Sequence, residues 1–414
     1  MERSHKVILV GGARPNFPKL APLLRALAGL PAAVRPRVVT VHTGQHYDEL
    51  LSRVFFRQLG MPRADHHLGA GSGTHAQQSA AVLAAFERVL QQERPSLVVV
   101  VGDVNSTMAA ALAAVKLHVP VAHVEAGLRS FDRTMPEEIN RVVTDHLADL
   151  LFTHCADAND NLRREGIAAA KVHYAGNVMI DSLRAGLAAA RRRPLLGRLG
   201  LERAGTVRPY ALATLHRPAN VDDRAALSGI VAALAGIAKE MPVLWPAHPR
   251  AQASLKRFGL LRRLCHTKIT RSDIGPDGLY LMDPLGYLDF IKAEMCAACV
   301  FTDSGGVQEE TTWLGVPCFT VRPGTERPVT IALGTNRMAG VSTASILRAW
   351  RAWRKRHAPA PARSPGALAR CRIPGWDGRA AQRIAAAIAR YLDKDSAPSR
   401  HSRVVGGPFT RSMP

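Results

Sequence analysis

The chain is poor in aromatic residues, in cysteine and in acidic groups, and it has no long apolar run. Phe, Trp and Tyr make up 5% of its 414 residues, and no helix-turn-helix, zinc-finger or RNA-recognition pattern accompanies its scattered basic residues. That combination argues against nucleic acid as a partner. Six cysteines in a chain this long do not form a disulfide framework. Cys296 and Cys299 make a single C-x-x-C inside an apolar segment, so they read as small buried hydrophobes. No apolar stretch approaches the ~20 residues that span a bilayer. The first apolar run, 7–10, reads as a strand and not as a signal peptide. A soluble, cytoplasmic protein is expected, with no membrane insertion.

Two further absences bear on chemistry. No G-x-G-x-x-G follows the first strand, so a dinucleotide site is unsupported. His42 and His46 have H-x-x-x-H spacing but run from a strand into a turn, where they share no helix face. No metal site is expected from them.

What is present is a chain that is 47% hydrophobic with a net charge of +22. The length suggests two domains, each with its own core. The basic excess suits an anionic surface, acidic small ligands, or simply a solvated basic exterior, as at Arg191, Arg192 and Arg193.

The first half alternates short Val-rich runs with amphipathic stretches. Strands are expected at 6–10, 37–43, 97–101, 121–124 and 150–152, with helices at 19–27, 48–59, 76–92, 107–117 and 137–149. Continuous apolar runs such as L-V-V-V-V suit a parallel sheet covered on both faces. The pattern loosens over 172–193, and R-R-R-P-L-L-G at 191–197 reads as a linker or a domain entry. Alternation resumes with strands at 210–214, 243–245, 279–282, 298–302 and 318–321. The fold class is therefore α/β, with two doubly wound, Rossmann-like domains facing a central cleft. The expected division is 1–184 and 185–377. A last helix at about 378–393 rejoins the first domain, and a basic tail at 394–414 is expected to be disordered.

The strand ends carry the chemistry. F-T-D-S-G-G-V-Q-E-E at 301–310 is a strand, a Ser-Gly-Gly turn and a helix start. Such a turn is either a plain tight turn or a cradle for phosphate, because free N–H groups at a helix start favour anions. Ser304 adds a hydroxyl to Gly305 and Gly306, and Glu310 follows. Asp103 ends the L-V-V-V-V strand, as a helix cap or an acid/base group. Glu125 ends V-A-H-V, where a cap explains it less easily. Glu137 and Glu138 open a helix, which the helix dipole favours. Arg141 lies four residues after Glu137 and can pair with it. His216 and His248 each follow a strand. Arg14, Lys19 and Arg327 add cations. Basic groups and a Gly-rich turn at one cleft suggest a diphosphate ligand. Three carboxylates and a histidine beside it suggest proton transfer.

Apart from His248, these residues fall in the motifs G-A-R-P-N-F-P-K-L-A-P, T-G-Q-H, G-D-V-N-S-T, H-V-E-A-G-L-R-S, M-P-E-E-I-N-R, L-H-R-P-A-N, T-D-S-G-G-V-Q-E-E and T-E-R-P, and D-P-L-G-Y-L-D-F stands beside them. As a set, they make the chain resemble the non-hydrolysing UDP-N-acetylglucosamine 2-epimerases of GT-B fold, from residue 7 to about 388. The resemblance implies inversion at C2 of the sugar. UDP is eliminated to a bound 2-acetamidoglucal and then re-added. It implies Asp103, Glu125, Glu137 and His216 as catalytic groups. Arg14, Lys19, Ser304, Gly305, Gly306, Glu310 and Arg327 match UDP-contacting positions, Phe290 the uracil side, and Arg141 the sugar. It also implies a UDP-sugar substrate, domain closure, a homodimer, and no obligatory metal or NAD.

The chain departs from the family's pattern at Asn16 and Phe17, and at Ala219, where a carboxylate is usual. Gln45 is kept, but Asp48 and the G-S-G-T-H-A-Q-Q segment differ from members activated by a second substrate molecule. Weak or absent activation is expected. The alternatives are an epimerase of a modified sugar such as a 2,3-diacetamido uronic acid, a hydrolysing relative, and a GT-B glycosyltransferase.

Overall fold

The computed structural model describes residues 5–44, 58–266, 274–357 and 371–396. Two parallel seven-stranded sheets organise it. The first contains β1 (Lys6–Gly11), β2 (Arg37–His42), β3 (His66–His67), β4 (Leu97–Val101), β5 (Val121–Val124), β6 (Leu150–Thr153) and β7 (Val172–Tyr174), in the order β3-β2-β1-β4-β5-β6-β7. A short antiparallel pair follows, β8 (Glu202–Arg203) and β9 (Thr206–Val207). The second sheet contains β10 (Ala211–Thr214), β11 (Val243–Pro246), β12 (Cys265–His266), β13 (Leu279–Met282), β14 (Cys299–Thr302), β15 (Cys318–Thr320) and β16 (Asn336–Met338). Its order is β12-β13-β11-β10-β14-β15-β16.

The strands form where the sequence has apolar runs because helices cover both faces. All five residues of β4 are buried, each contributing roughly 1.5–3 kcal/mol of burial free energy. The Ala-rich helix Asn105–Lys116 packs closely against the helix His75–Glu93, which starts from a Thr74–Gln77 capping box.

Strand order places the site. In the first sheet the chain winds from β1 out to β3, then returns to β4 on the other side of β1. In the second, β10 and β14 are the equivalent neighbours. Loops leaving the carboxyl ends of such strands diverge and open a crevice.

The segment 172–193, where the sequence pattern loosens, is regular structure. It contains β7 and the 14-residue helix Val178–Arg191, whose first turn is capped by the Asn177 side chain. That helix packs against Phe17–Ala28 of the first sheet's layer and against Tyr287–Cys296 and Gly305–Leu314 of the second. Its buried Ile180, Leu183 and Leu187 belong to one apolar core that runs through both halves. The Arg-rich end of the helix hid this apolar face in the sequence. The last helix, Ala380–Ser396, packs on Phe17–Ala28. Cys296 and Cys299 are buried. Most of the helix expected at 48–59, along with Gln45, His46, Asp48 and the tail beyond 396, lies outside the described residues.

Candidate active site

The first wall comes from β1, β4 and β5. The Asn16 side chain accepts the backbone N–H groups of Gly12 (3.1 Å) and Ala13 (2.9 Å) and donates to the Val101 carbonyl at 3.0 Å. The Gly-rich loop after β1 is thereby tied to the end of β4. Arg14 lies in the short 3-10 turn Arg14–Asn16 of this loop. Lys19, in the first turn of Phe17–Ala28, is buried and its ammonium pairs with Glu125. Burial lowers the Lys19 pKa to about 8, with Asp103 opposing the shift. Gly102 has φ +70°, and its backbone runs against the Lys19 ammonium. Glu125 has φ 75°, a left-handed conformation for a residue with a side chain. Such strain is of order 1–3 kcal/mol and gathers at functional sites.

Asp103 does not cap the next helix, since Val104 is the N-cap and no side chain bonds there. Instead the Arg141 guanidinium binds its carboxylate. Burial alone would raise the Asp103 pKa, but Arg141 and then Lys19 outweigh it and hold the carboxyl below the usual range. Arg141 is almost fully enclosed. It also donates to Glu138 at 2.9 Å and lies 3.6 Å from Glu326.

The expected Glu137–Arg141 pair is replaced. Glu137 and Glu138 do occupy the first turn of Pro136–Leu147. Arg141, however, takes Glu138, while Glu137 accepts from Arg217 of the opposite domain at 3.1 Å. Glu138 reaches back to the backbone N–H groups of Ser130 (2.8 Å) and Phe131 (2.9 Å), so it faces inward. Tertiary contacts across the cleft thus override the i,i+4 spacing.

The second wall comes from β10 and β14, where Thr214 pairs with Thr302. His216 and Asp303 leave these adjacent ends together. Asp303 is fully buried and accepts the backbone N–H groups of His216 (3.1 Å) and Arg217 (3.0 Å) and the Asn220 amide (3.0 Å). Its carboxyl also lies 3.1 Å from His216 Nδ1. Burial would raise the Asp303 pKa, but His216 and these donors hold it low. The His216 and His248 rings lie 6.2 Å apart, so the loops after β10 and β11 meet.

Ser304 is the N-cap of Gly305–Leu314, and its side chain makes no capping bond. The Arg327 guanidinium stands directly over it, where a Cβ at Gly305 would collide. Arg327 donates to Glu125 (2.7 Å) across the cleft and to Glu309 (2.5 Å) on the helix itself. His154 Nε2, from the first domain, faces the same Glu309 oxygen at 3.2 Å. Glu326 engages Arg322 at 2.7 Å.

The structure thus brings Lys19, Asp103, Glu125, Arg141 and Arg327 into one charge network, with Glu137 joined to it through Arg217. His216 and Ser304 sit on the facing strand ends. Glu310 stands apart from that network. It is buried beside Tyr287 and Glu294, and burial, then the charge of Glu309, push its carboxyl up to about 8. Phe290 lies half-buried on the helix Tyr287–Cys296, packed against the shared core.

Sequence reasoning assigned no role to Asp303, Glu309, Arg217, His154 or Glu326. Asp303 and Glu309 stood inside a motif already singled out, and a carboxylate between a buried strand and a glycine turn is itself a signal. His154 carries no such local mark. Glu125, His154 and Glu309 offer oxygen and nitrogen atoms within 4.8 Å of one another, a spacing that can hold a metal ion. Here Arg327 engages both carboxylates and Lys19 pairs with Glu125, so a dication there would meet two positive side chains.

Comparison with known proteins bears on the family and the fold. A family described as UDP-N-acetylglucosamine 2-epimerase matches residues 32–389. The UDP-N-acetylglucosamine 2-epimerase of Methanocaldococcus jannaschii is 40% identical over 346 residues, covering 83% of this chain and 91% of that protein. The UDP-2,3-diacetamido-2,3-dideoxy-D-glucuronate 2-epimerase of Pseudomonas aeruginosa is 40% identical over 349 residues, covering 84% and 91%. The crystal structure of the M. jannaschii UDP-GlcNAc 2-epimerase in complex with UDP-GlcNAc and UDP superimposes with a TM-score of 0.80 at 37% identity, covering 93% of this chain and 99% of that one. With the family match, sequence identity and fold in agreement, the chain belongs to the UDP-N-acetylglucosamine 2-epimerase family, a family of isomerases with the GT-B fold.

Proposed function

We propose that this protein inverts C2 of UDP-N-acetylglucosamine to give UDP-N-acetylmannosamine. The observation that carries the reading is the meeting of acid/base groups from both domains over one anion-binding helix start. Asp103, Glu125 and Glu137 come from one side, and His216 and Arg327 from the other. In the reaction a base removes the C2 proton, the C1–O bond breaks, and UDP leaves to give 2-acetamidoglucal. A proton then returns to the other face of C2 while UDP re-adds at C1. Carboxylates and a histidine on different walls suit proton transfer at two faces of one ring.

Lys19, Arg14, Arg327 and the N–H groups at Gly305 and Gly306 would hold the diphosphate, and Ser304 would donate to it. Glu310 would meet the ribose and Phe290 the uracil. Arg141 would act near the sugar. No metal or NAD is required by this chemistry. The enzyme would work as a cytoplasmic homodimer supplying a precursor of surface polysaccharide. Among the described residues, no helix is long and apolar enough to cross a membrane.

Proton NMR of the protein with UDP-N-acetylglucosamine in D2O tests the reading. A mannosamine-nucleotide anomeric signal with deuterium at C2 is the expected result. Free N-acetylmannosamine would mean hydrolysis instead. A second reading draws on the equal identity to the diacetamido-glucuronate epimerase. It predicts no turnover of UDP-N-acetylglucosamine but turnover of the 2,3-diacetamido uronic acid nucleotide.

A further inference from the structure

Three carboxylates surround the Arg327 guanidinium: Glu326 at 3.5 Å from Nη1, and two closer ones, Glu309 and Glu125, that reach it from opposite sides of the cleft. Glu309 stands on the helix whose N-terminus Arg327 covers. It is fully buried, bonds Arg327 Nε at 2.5 Å, and is fixed from the other side by His154 at 3.2 Å. Burial alone would raise its pKa, but Arg327 and then His154 outweigh that and keep it ionised. Glu125 reaches Arg327 Nη2 at 2.7 Å from across the cleft and from a left-handed strand end, and it shares its charge with Lys19. The guanidinium meanwhile lies against Gly305, over the helix start where a diphosphate would bind.

We propose that Glu309 is the positioning residue of the diphosphate clamp, and that Glu125 competes with the diphosphate for Arg327 and Lys19. The inference rests on the nucleotide-sugar reading above. Glu309 stands on the same element as the N–H cradle and holds Nε, so its contact can persist while Nη1, which lies against Gly305, and Nη2 turn to phosphate oxygens. The Glu125 contact spans the cleft and holds Nη2, one of the nitrogens a phosphate would need. An arriving diphosphate therefore draws both cations off Glu125 and leaves that carboxylate unpaired beside the sugar. Binding of the nucleotide then frees the group proposed for proton transfer.

The two carboxylates should respond oppositely to the same isosteric change. UDP binding would be measured by calorimetry on the full chain, with folding checked by circular dichroism. Glu309→Gln should weaken UDP by about tenfold, because a charge-assisted bond to Arg327 is lost. Glu125→Gln should tighten UDP by about threefold, because a competitor is removed. In an Arg327→Ala background the effect of Glu309→Gln should vanish, which a merely structural role would not do. Unchanged UDP affinity in Glu309→Gln, or its full effect persisting without Arg327, would overturn the positioning role. Equal or weaker binding in Glu125→Gln would overturn the competition. Failure of the unaltered protein to bind UDP at all would overturn the nucleotide-sugar reading together with this one.

Discussion

The buried Asp303 carboxylate holds His216 at two points, accepting its backbone N–H at 3.1 Å and facing its ring Nδ1 at 3.1 Å. The two residues leave β10 and β14, the neighbouring strands at which the second sheet changes direction. With Nδ1 on the carboxylate, Nε2 is the ring atom left for proton transfer. Asp303→Asn keeps the shape but removes the charge that fixes the ring. It should lower kcat by about 10–100-fold while UDP affinity changes by less than about twofold. Steady-state kinetics and calorimetry together check this, and an equal loss in UDP binding would point to a general disturbance of the loop.

His216→Ala and Asp103→Asn remove groups proposed to act on the sugar. Each should fold normally and lose about 10²–10⁴-fold in turnover. Circular dichroism and a rate assay decide it. Near-normal rates in both would remove these residues from the mechanism.

The pH dependence has a definite sign. Burial pushes Lys19 down to about 8, against Asp103, and pushes Glu310 up to about 8, aided by Glu309. As pH rises through 8, Lys19 loses a positive charge and Glu310 gains a negative one. The change at Lys19 opposes a diphosphate, whereas Glu310 stands apart from the groups that would hold it. Since kcat/KM reports groups of the free enzyme, it should fall above pH 8. Lys19→Arg carries a charge that does not titrate in this range, so its profile should decline less steeply whatever its maximum. A parallel decline in both proteins would assign the limb to another group.

Arg141 meets three carboxylates, Asp103, Glu138 and Glu326, while almost wholly enclosed. Arg141→Met would leave these charges without their shared partner. It should destabilise the fold by about 3–5 kcal/mol, read as a lower urea midpoint with an unchanged slope. A shift under about 1 kcal/mol would show that Arg322 and Arg327 can take over its role.

Much of this architecture was legible in the order of residues. The Val-rich run of β4 and its counterparts in the second sheet, 299–302 among them, are buried on both faces, so their apolar continuity marks them directly. The strand-end positions Asp103, Glu125, His216 and Ser304 were also visible as polar residues following apolar runs, although a cap or a plain turn could account for Asp103 and Ser304 on pattern alone. The helix Val178–Arg191 was not legible as a bridge. Its apolar face is divided between two halves of the molecule, and its charged end resembles a linker.

The sequence by itself determined the class of fold, the strand ends and the chemical types of group placed on them, because apolar periodicity and turn chemistry are local. Only the tertiary structure decided which charges meet. It gave Arg141 to Asp103, Glu137 to Arg217, and Arg327 to both Glu125 and Glu309. Those partners are as far as 202 positions apart in the chain. Their pairing follows from the packing of two sheets and from the need of each buried charge for a counter-charge, which no spacing along the chain can express.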